Sequence, residues 1–224
     1  MSGTYSFENM KDRLDFLWKT CVVQQEHEKF KSLNAAISLI LQQKNNYLIV
    51  AEKTGVPWYL IAALHSKECS SRMSHSLHNG EPWSKVTTLV PKGRGPFNSW
   101  VESAIDALTM KKALFPNDGN WTIERVLYFA LCYNGLGYNV YHPEINSPYL
   151  WSGTNHYIKG GYVADGKWDS EHIIKNHGVA VLINILLGAI PAKPISQKPE
   201  PTIKIPETKI RLTFWQKIKS FFNA

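Results

Sequence analysis

The chain has 224 residues, 44% hydrophobic and 12% aromatic, which suits one domain of ordinary size with an appendage and excludes disorder over most of its length. Its 25 Lys and Arg against 18 Asp and Glu leave a net charge of +7, which points to a polyanionic partner: nucleic acid, an anionic membrane or an acidic polymer. Three widely spaced cysteines, Cys21, Cys69 and Cys132, exclude a disulfide framework and lead us to expect reduced thiols.

The start, MSGTYSFENMKDRLDF, has no basic segment followed by an apolar stretch, so no secretory signal is expected. Over residues 6–53 the pattern is helical. Phe7, Met10, Leu14, Leu17, Trp18 and Cys21 recur at three- and four-residue steps, as do Phe30, Leu33, Ile37, Ile40 and Leu41. Ser6 is the expected N-cap. Gly55 breaks this pattern and Pro57 suits the first turn of the next helix, GVPWYLIAALHSKEC. There Leu60, Ile61, Leu64 and Glu68 share a face, which puts a carboxylate at the end of an apolar stripe. Burial would raise its pKa toward that of a general acid; the spacing fits equally a frayed last turn with Glu68 in solvent or paired with Arg72. His65, one turn earlier, reads as a satisfied side chain rather than a catalyst.

Periodicity disappears over 72–97, where Gly80, Gly93 and Gly95 with Pro82, Pro91 and Pro96 mark turns and 86–90 is a candidate short strand. An irregular stretch of this length in a compact domain is functional or mobile. Ser99 with Glu102 gives a capping box for a helix carrying Trp100, Ala104, Ile105 and Leu108. A further amphipathic helix is expected over 121–133, running into Asn134 and stopped by Gly135 and Gly137. From Tyr133 to Trp168 the chain is dense in Tyr and Trp interleaved with Asn, His and Gly. Such a surface, apolar on ring faces and wet at its rims, matches sugar rings; an aromatic mini-core holding down a loop is the alternative. Asp169 or Ser170 is expected to cap a last core helix through Leu187. The apolar run over 179–190 is too short for a membrane span.

Residues 191–208 hold a proline-rich spacer, and 209–224 place Phe214, Trp215, Ile218, Phe221 and Phe222 on one helical face with basic residues opposite. A basic amphipathic C-terminal helix of this kind suits an anionic membrane. From Pro191 onward seven basic residues face two acidic ones, so +5 of the net +7 lies in the tail and +2 in residues 1–190. The eight histidines have no HExxH or CxxC context, so neither a metal nor another cofactor is expected. No nucleic-acid recognition motif accompanies the charge.

The segment AEKTGVPWYLIAALHSKECSS resembles the signature helix of the lysozyme-like superfamily, which includes goose-type lysozymes and soluble lytic transglycosylases. ALCYNGLGY is similar to that family's Ala-Tyr-Asn-Ala-Gly motif. LHNGEPW, VPKGRGPF, RVLYFALCYNGLGY and SPYLWSGTNHYIKGGYVADGKWD resemble phage endolysins and related bacterial lysozyme-family proteins. In this chain Glu-Cys-Ser stands where the family has Glu-Ser, and its Gly-rich middle motif is not recognisable. The resemblance implies a mainly α, lysozyme-like helical domain over 1–190 with a short β-hairpin or irregular loop region. It further implies cleavage of the β-1,4 bonds of peptidoglycan, by hydrolysis or by closure to an anhydro product. Glu68 is then the general acid and Glu81 the candidate second carboxylate, ahead of Asp106 and Asp165. His78, Asn79, Tyr133 and Asn134 would line the cleft, and Tyr149, Trp151, Asn155, His156 and Tyr157 would contact sugar. The expected partners are glycan strands and, through the tail, a bacterial membrane surface, for a monomer made in the host cytoplasm and released to the periplasm or wall. Outside enzymes, the competing reading is a wall-binding or membrane-active module with an inert carboxylate.

Overall fold

A computed structural model describes residues 5–24, 30–164 and 166–188. The chain divides into two compact units, Met1–Ile190 and Pro191–Ala224, and every described residue belongs to the first. The spacer expected at 191–208, the amphipathic helix expected at 209–224 and Asp165 lie outside the described residues.

The described residues are mainly helical with one small sheet. In chain order they form α1 (Phe7–Lys19), α2 (Phe30–Gln42), α3 (Lys44–Thr54), α4 (Trp58–Cys69), α5 (Trp100–Thr109), a 3-10 turn (Lys112–Leu114), α6 (Ile123–Asn134), α7 (Gly137–Tyr141), α8 (Pro148–Trp151), strands β1 (Gly161–Ala164) and β2 (Lys167–Asp169), and α9 (Val179–Leu186).

Helix α4 is the hub, packed by α2, α3, α6 and α9. Sequence spacing gave it one apolar stripe, but Leu60, Ile61, Ala62, Ala63 and Leu64 are all fully buried. A helix without a polar face over more than a full turn is enclosed on every side there. Each large aliphatic side chain buried there contributes roughly 1.5–3 kcal/mol. All of α9 is buried as well, including Asn184, whose amide donates to the Ala180 carbonyl at 2.9 Å.

Several boundaries differ from those expected. Ser6 stands at the N-cap of α1 in extended backbone, yet its side chain makes no capping bond. Ser99 does cap α5, accepting from Glu102 N at 3.1 Å, while Glu102 reaches back to Asn98 rather than to Ser99. Thr122 caps α6. Residues 86–90 form no strand. The hairpin lies instead at β1–β2, antiparallel, with Tyr162 opposite Trp168 and a register irregularity between Tyr162 and Ala164. Helix α9 starts at Val179 behind Gly178, well after Asp169 and Ser170. The chain is crowded at that start: a Cβ on Gly178 would fall on the Leu150 carbonyl and lie 2.8 Å from Trp151 N. Only glycine lets α9 enter this close to α8.

Candidate active site

Glu68 is the penultimate residue of α4, and the chain turns sharply after it. Ser70 and Ser71 both adopt left-handed backbone (φ 54° and 56°), a conformation costing an L-residue roughly 1–2 kcal/mol. Their amides return to the Ser66 and His65 carbonyls at 3.1 Å, closing the helix end. His65 locks the same turn from inside: it is fully buried, its Nδ1 lies 2.9 Å from the Tyr47 hydroxyl, and its Nε2 lies 3.2 Å from the Arg72 carbonyl. The carbonyl only accepts, so Nε2 carries the proton. Burial pulls the His65 pKa down to about 4, and the ring is a neutral structural link. Arg72 does not pair with Glu68; its Nε donates to the Cys69 carbonyl at 3.1 Å.

The half-buried Glu68 carboxylate accepts a hydrogen bond from the Tyr149 hydroxyl, 2.7 Å from Oε1. Burial pushes its pKa up, against the opposing pull of that hydrogen bond and of the Lys67 and Lys111 charges. The phenol of Tyr149 is buried on α8, and burial beside the Glu68 charge holds it well above its ordinary value, so it stays a donor. The Lys67 ammonium lies 5.2 Å from the centre of the Tyr149 ring and donates to the His177 carbonyl at 3.0 Å. Burial lowers its pKa to about 8, partly countered by Glu68. From α6, Tyr133 donates to the Leu77 carbonyl at 2.5 Å, and Lys111 sits 5.7 Å from its ring centre.

That Tyr133 bond clamps the 76–82 turn against the end of α4. The turn passes so close that a Cβ on Gly80, at φ +75°, would come 3.1 Å from the Glu68 carbonyl oxygen. Its neighbour Glu81 is engaged within its own loop. Its carboxylate accepts from Asn79 Nδ2 (2.8 Å), Thr88 Oγ1 (2.7 Å), and the amides of Thr88 and Leu89 (3.0 Å each to Oε2). These bonds, the Thr88 hydroxyl foremost, hold its pKa low. Glu81 is thus an ionised tie that shapes the 86–90 loop. Asn79, expected at the cleft wall, is the first donor of this tie.

His78 is not a cleft residue: its side chain is buried, stacked on Phe97 with ring centres 5.4 Å apart. Its Nε2 donates to Asp106 at 2.7 Å, and Asp106 also takes two bonds from Arg94. Asp106, the lower-ranked carboxylate, is therefore a bridge from α5 to the 76–94 loop.

The residues expected to contact sugar are placed differently. Trp151 and Tyr157 are buried, and the Tyr157 hydroxyl donates to the Gly160 carbonyl and accepts from Ile174 N at 3.0 Å. Asn155 accepts from Val22 N and donates to the Thr20 carbonyl, and His156 lies 3.1 Å from Thr20 Oγ1. Asn155 and His156 tie the segment to the end of α1 and Tyr157 ties it to the 172–174 segment, while Trp151 packs edge-on against His156. Tyr149 donates to the Glu68 carboxylate. Asn134 is exposed at the end of α6.

Sequence reasoning missed Lys67 and left open, as an aromatic mini-core, the ring cluster of Tyr138, Tyr162 and Trp168, which His142 completes by stacking on Trp168 with ring centres 3.4 Å apart. A charged residue inside an otherwise apolar helix, directly before the candidate acid, was the available signal for Lys67. A groove of about 630 Å³ lies between α2 and α4 on the Lys67 side, walled by Ser66, Lys67 and Ser70 and ending at Asn176 and His177. Among the described residues no three His, Cys, Asp or Glu side chains cluster as a metal site, and no helix is long and apolar enough to cross a membrane. No family model, curated protein or solved structure matches this chain.

Proposed function

We propose that the protein is a glycosidase cleaving β-1,4 bonds between N-acetylmuramic acid and N-acetylglucosamine in peptidoglycan, with Glu68 as general acid. One observation carries this reading: a carboxyl at the end of a buried helix, raised by burial and hydrogen-bonded to a phenol that stays protonated. Glycosidic cleavage needs a carboxyl that is still protonated near neutral pH and can give its proton to the leaving oxygen. Tyr149 occupies Oε1, so the acidic proton resides on Oε2. After transfer, the new carboxylate keeps the Tyr149 bond and gains from the Lys67 and Lys111 charges. The resemblance to lysozyme-like enzymes in the α4 and α6 motifs supports the same assignment.

A second reading, a lytic transglycosylase, is favoured by the state of Glu81. A carboxylate engaged by four donor groups of its own loop has little basicity left to activate water. Closure by the substrate's own hydroxyl needs no second carboxylate, since Glu68 returns as the base. The basic segment beyond 190 would bring the enzyme to the bacterial envelope surface.

Incubating purified protein and its Glu68→Gln variant with isolated peptidoglycan, and weighing the fragments, tests both readings. Reducing ends identify a hydrolase and anhydro ends a transglycosylase. No soluble fragments from the wild type would leave the non-catalytic wall-binding reading, and full activity in Glu68→Gln would place the acid elsewhere.

A further inference from the structure

Lys67 enters acid catalysis so far only as one of two nearby positive charges, yet it is the charged group built most directly onto the partner of the acid. It projects from the centre of the fold beside Glu68, held by the His177 carbonyl at 3.0 Å, with its ammonium 5.2 Å from the Tyr149 ring centre. Tyr149 in turn donates to Glu68 at 2.7 Å. A cation over a phenol ring draws electron density from it and strengthens the hydroxyl as a donor, and the interaction gains when desolvated. We propose that Lys67 is a positioning residue for Glu68: anchored by the His177 carbonyl and seated on Tyr149, it fixes that ring and polarises the hydroxyl that holds the carboxylate. This rests on Glu68 being the acid, but its first test does not need turnover.

The surroundings give Lys67 few other roles. Glu68 on its own helix, Tyr149 from α8 and His177 from the segment before α9 are the titratable residues identified against it. Lys111, Tyr133 and Cys69 act on or beside Glu68. The sign is fixed by these charges. While Lys67 is protonated it favours the Glu68 carboxylate; when it loses its proton, near pH 8, that support is withdrawn and Glu68 holds its proton more tightly. The preference matters in the reaction because the carboxylate forms as the glycosidic bond breaks.

The Glu68 side-chain carboxyl, followed by carbon NMR during a pH titration of the full chain, reads the effect directly. In Lys67→Met its midpoint should rise by about one unit, through the lost direct charge and the weakened phenol hydrogen bond together. In a Tyr149→Phe background the same Lys67→Met change should shift it less, because only the direct charge effect remains once the phenol is gone. An unshifted midpoint in Lys67→Met overturns the proposal, and an equal shift in both backgrounds shows a direct charge effect and overturns the route through Tyr149. If the protein cleaves glycan, Lys67→Met should lower kcat about tenfold with little change in KM, and the alkaline limb near pH 8 should disappear. Lys67→Arg should restore kcat without restoring that limb, since arginine does not titrate there. An alkaline limb unchanged in Lys67→Met, with its melting curve intact, also overturns it. Absence of any glycan cleavage overturns the proposed function and leaves the NMR arm to decide on Lys67.

Discussion

Ionising Glu68 works against folding, because its pKa in the folded chain is raised above the ordinary value near 4.5. A raised carboxyl gives its full stabilising contribution below the unfolded value and loses it as pH rises through the folded one. At pH 7 a carboxyl of the unfolded chain is ionised, so burying this one carries a net cost whichever form it takes. Glu68→Gln, which can still accept from Tyr149, should melt higher than wild type at pH 7 and no higher near pH 4. The same change should lower kcat by roughly 10²–10⁴-fold, the usual contribution of a general acid. Equal melting temperatures at pH 7 would show a carboxylate as well solvated as in the unfolded chain. Glu81 has the opposite sign: its pKa is lowered by its loop donors, so its contribution is present above the ordinary value and is lost as pH falls through the folded one. In Glu81→Gln the Thr88 and Leu89 amides should exchange faster with solvent at pH 7, as hydrogen–deuterium exchange can measure. Unchanged protection would mean that the loop does not depend on that carboxylate.

Elements were legible where a periodic apolar pattern met a local stop. The α3–α4 junction follows from Gly55 and Pro57, the α5 start from Ser99, and the end of α6 from Gly135. What stayed hidden depended on distant partners. The hairpin at 161–169 pairs only a few residues, and its Tyr162 and Trp168 fit both a sugar-matching surface and an aromatic mini-core until ring contacts with α7 were visible. Likewise Glu68 was legible as a helix-end carboxylate, whereas its Tyr149 partner lies 81 positions away and had no local signal. Asn155 and Tyr157 carry the right chemistry for sugar, but their polar groups are already used by backbone that sequence spacing could not locate. Gly178 shows the same dependence at a single position. Its φ of −71° suits any residue, so only the approach of α8 demands glycine. Gly178→Ala should destabilise the domain by about 3 kcal/mol, the upper end for overpacking, because both obstructing groups are backbone. For a domain of this size that corresponds to a melting temperature roughly 6–12 °C lower. A shift under about 2 °C would mean that α8 and α9 can separate freely.

The net charge of +7 is unevenly distributed over the molecule: +2 in residues 1–190 and +5 from Pro191 onward. Every residue described for the candidate site, Glu68, Tyr149, Lys67 and the 76–98 loop, precedes residue 190. Cleavage and attraction to an anionic surface should therefore separate when the chain is cut. A chain ending at residue 190 contains all of the first compact unit, and should release soluble fragments from isolated peptidoglycan at a rate within about twofold of the full chain. The full chain should also bind vesicles containing anionic lipid, and the shortened chain should not. Each basic residue near such a surface contributes about 1 kcal/mol, and the attraction falls off within a Debye length of about 10 Å at 0.1 M salt. Binding carried by the five net charges should accordingly weaken steeply between 0.05 and about 0.5 M salt. Binding that persists at high salt would assign the contact to the aromatic face of the tail rather than to its charge. Equal vesicle binding by both chains would remove the tail from the envelope role altogether.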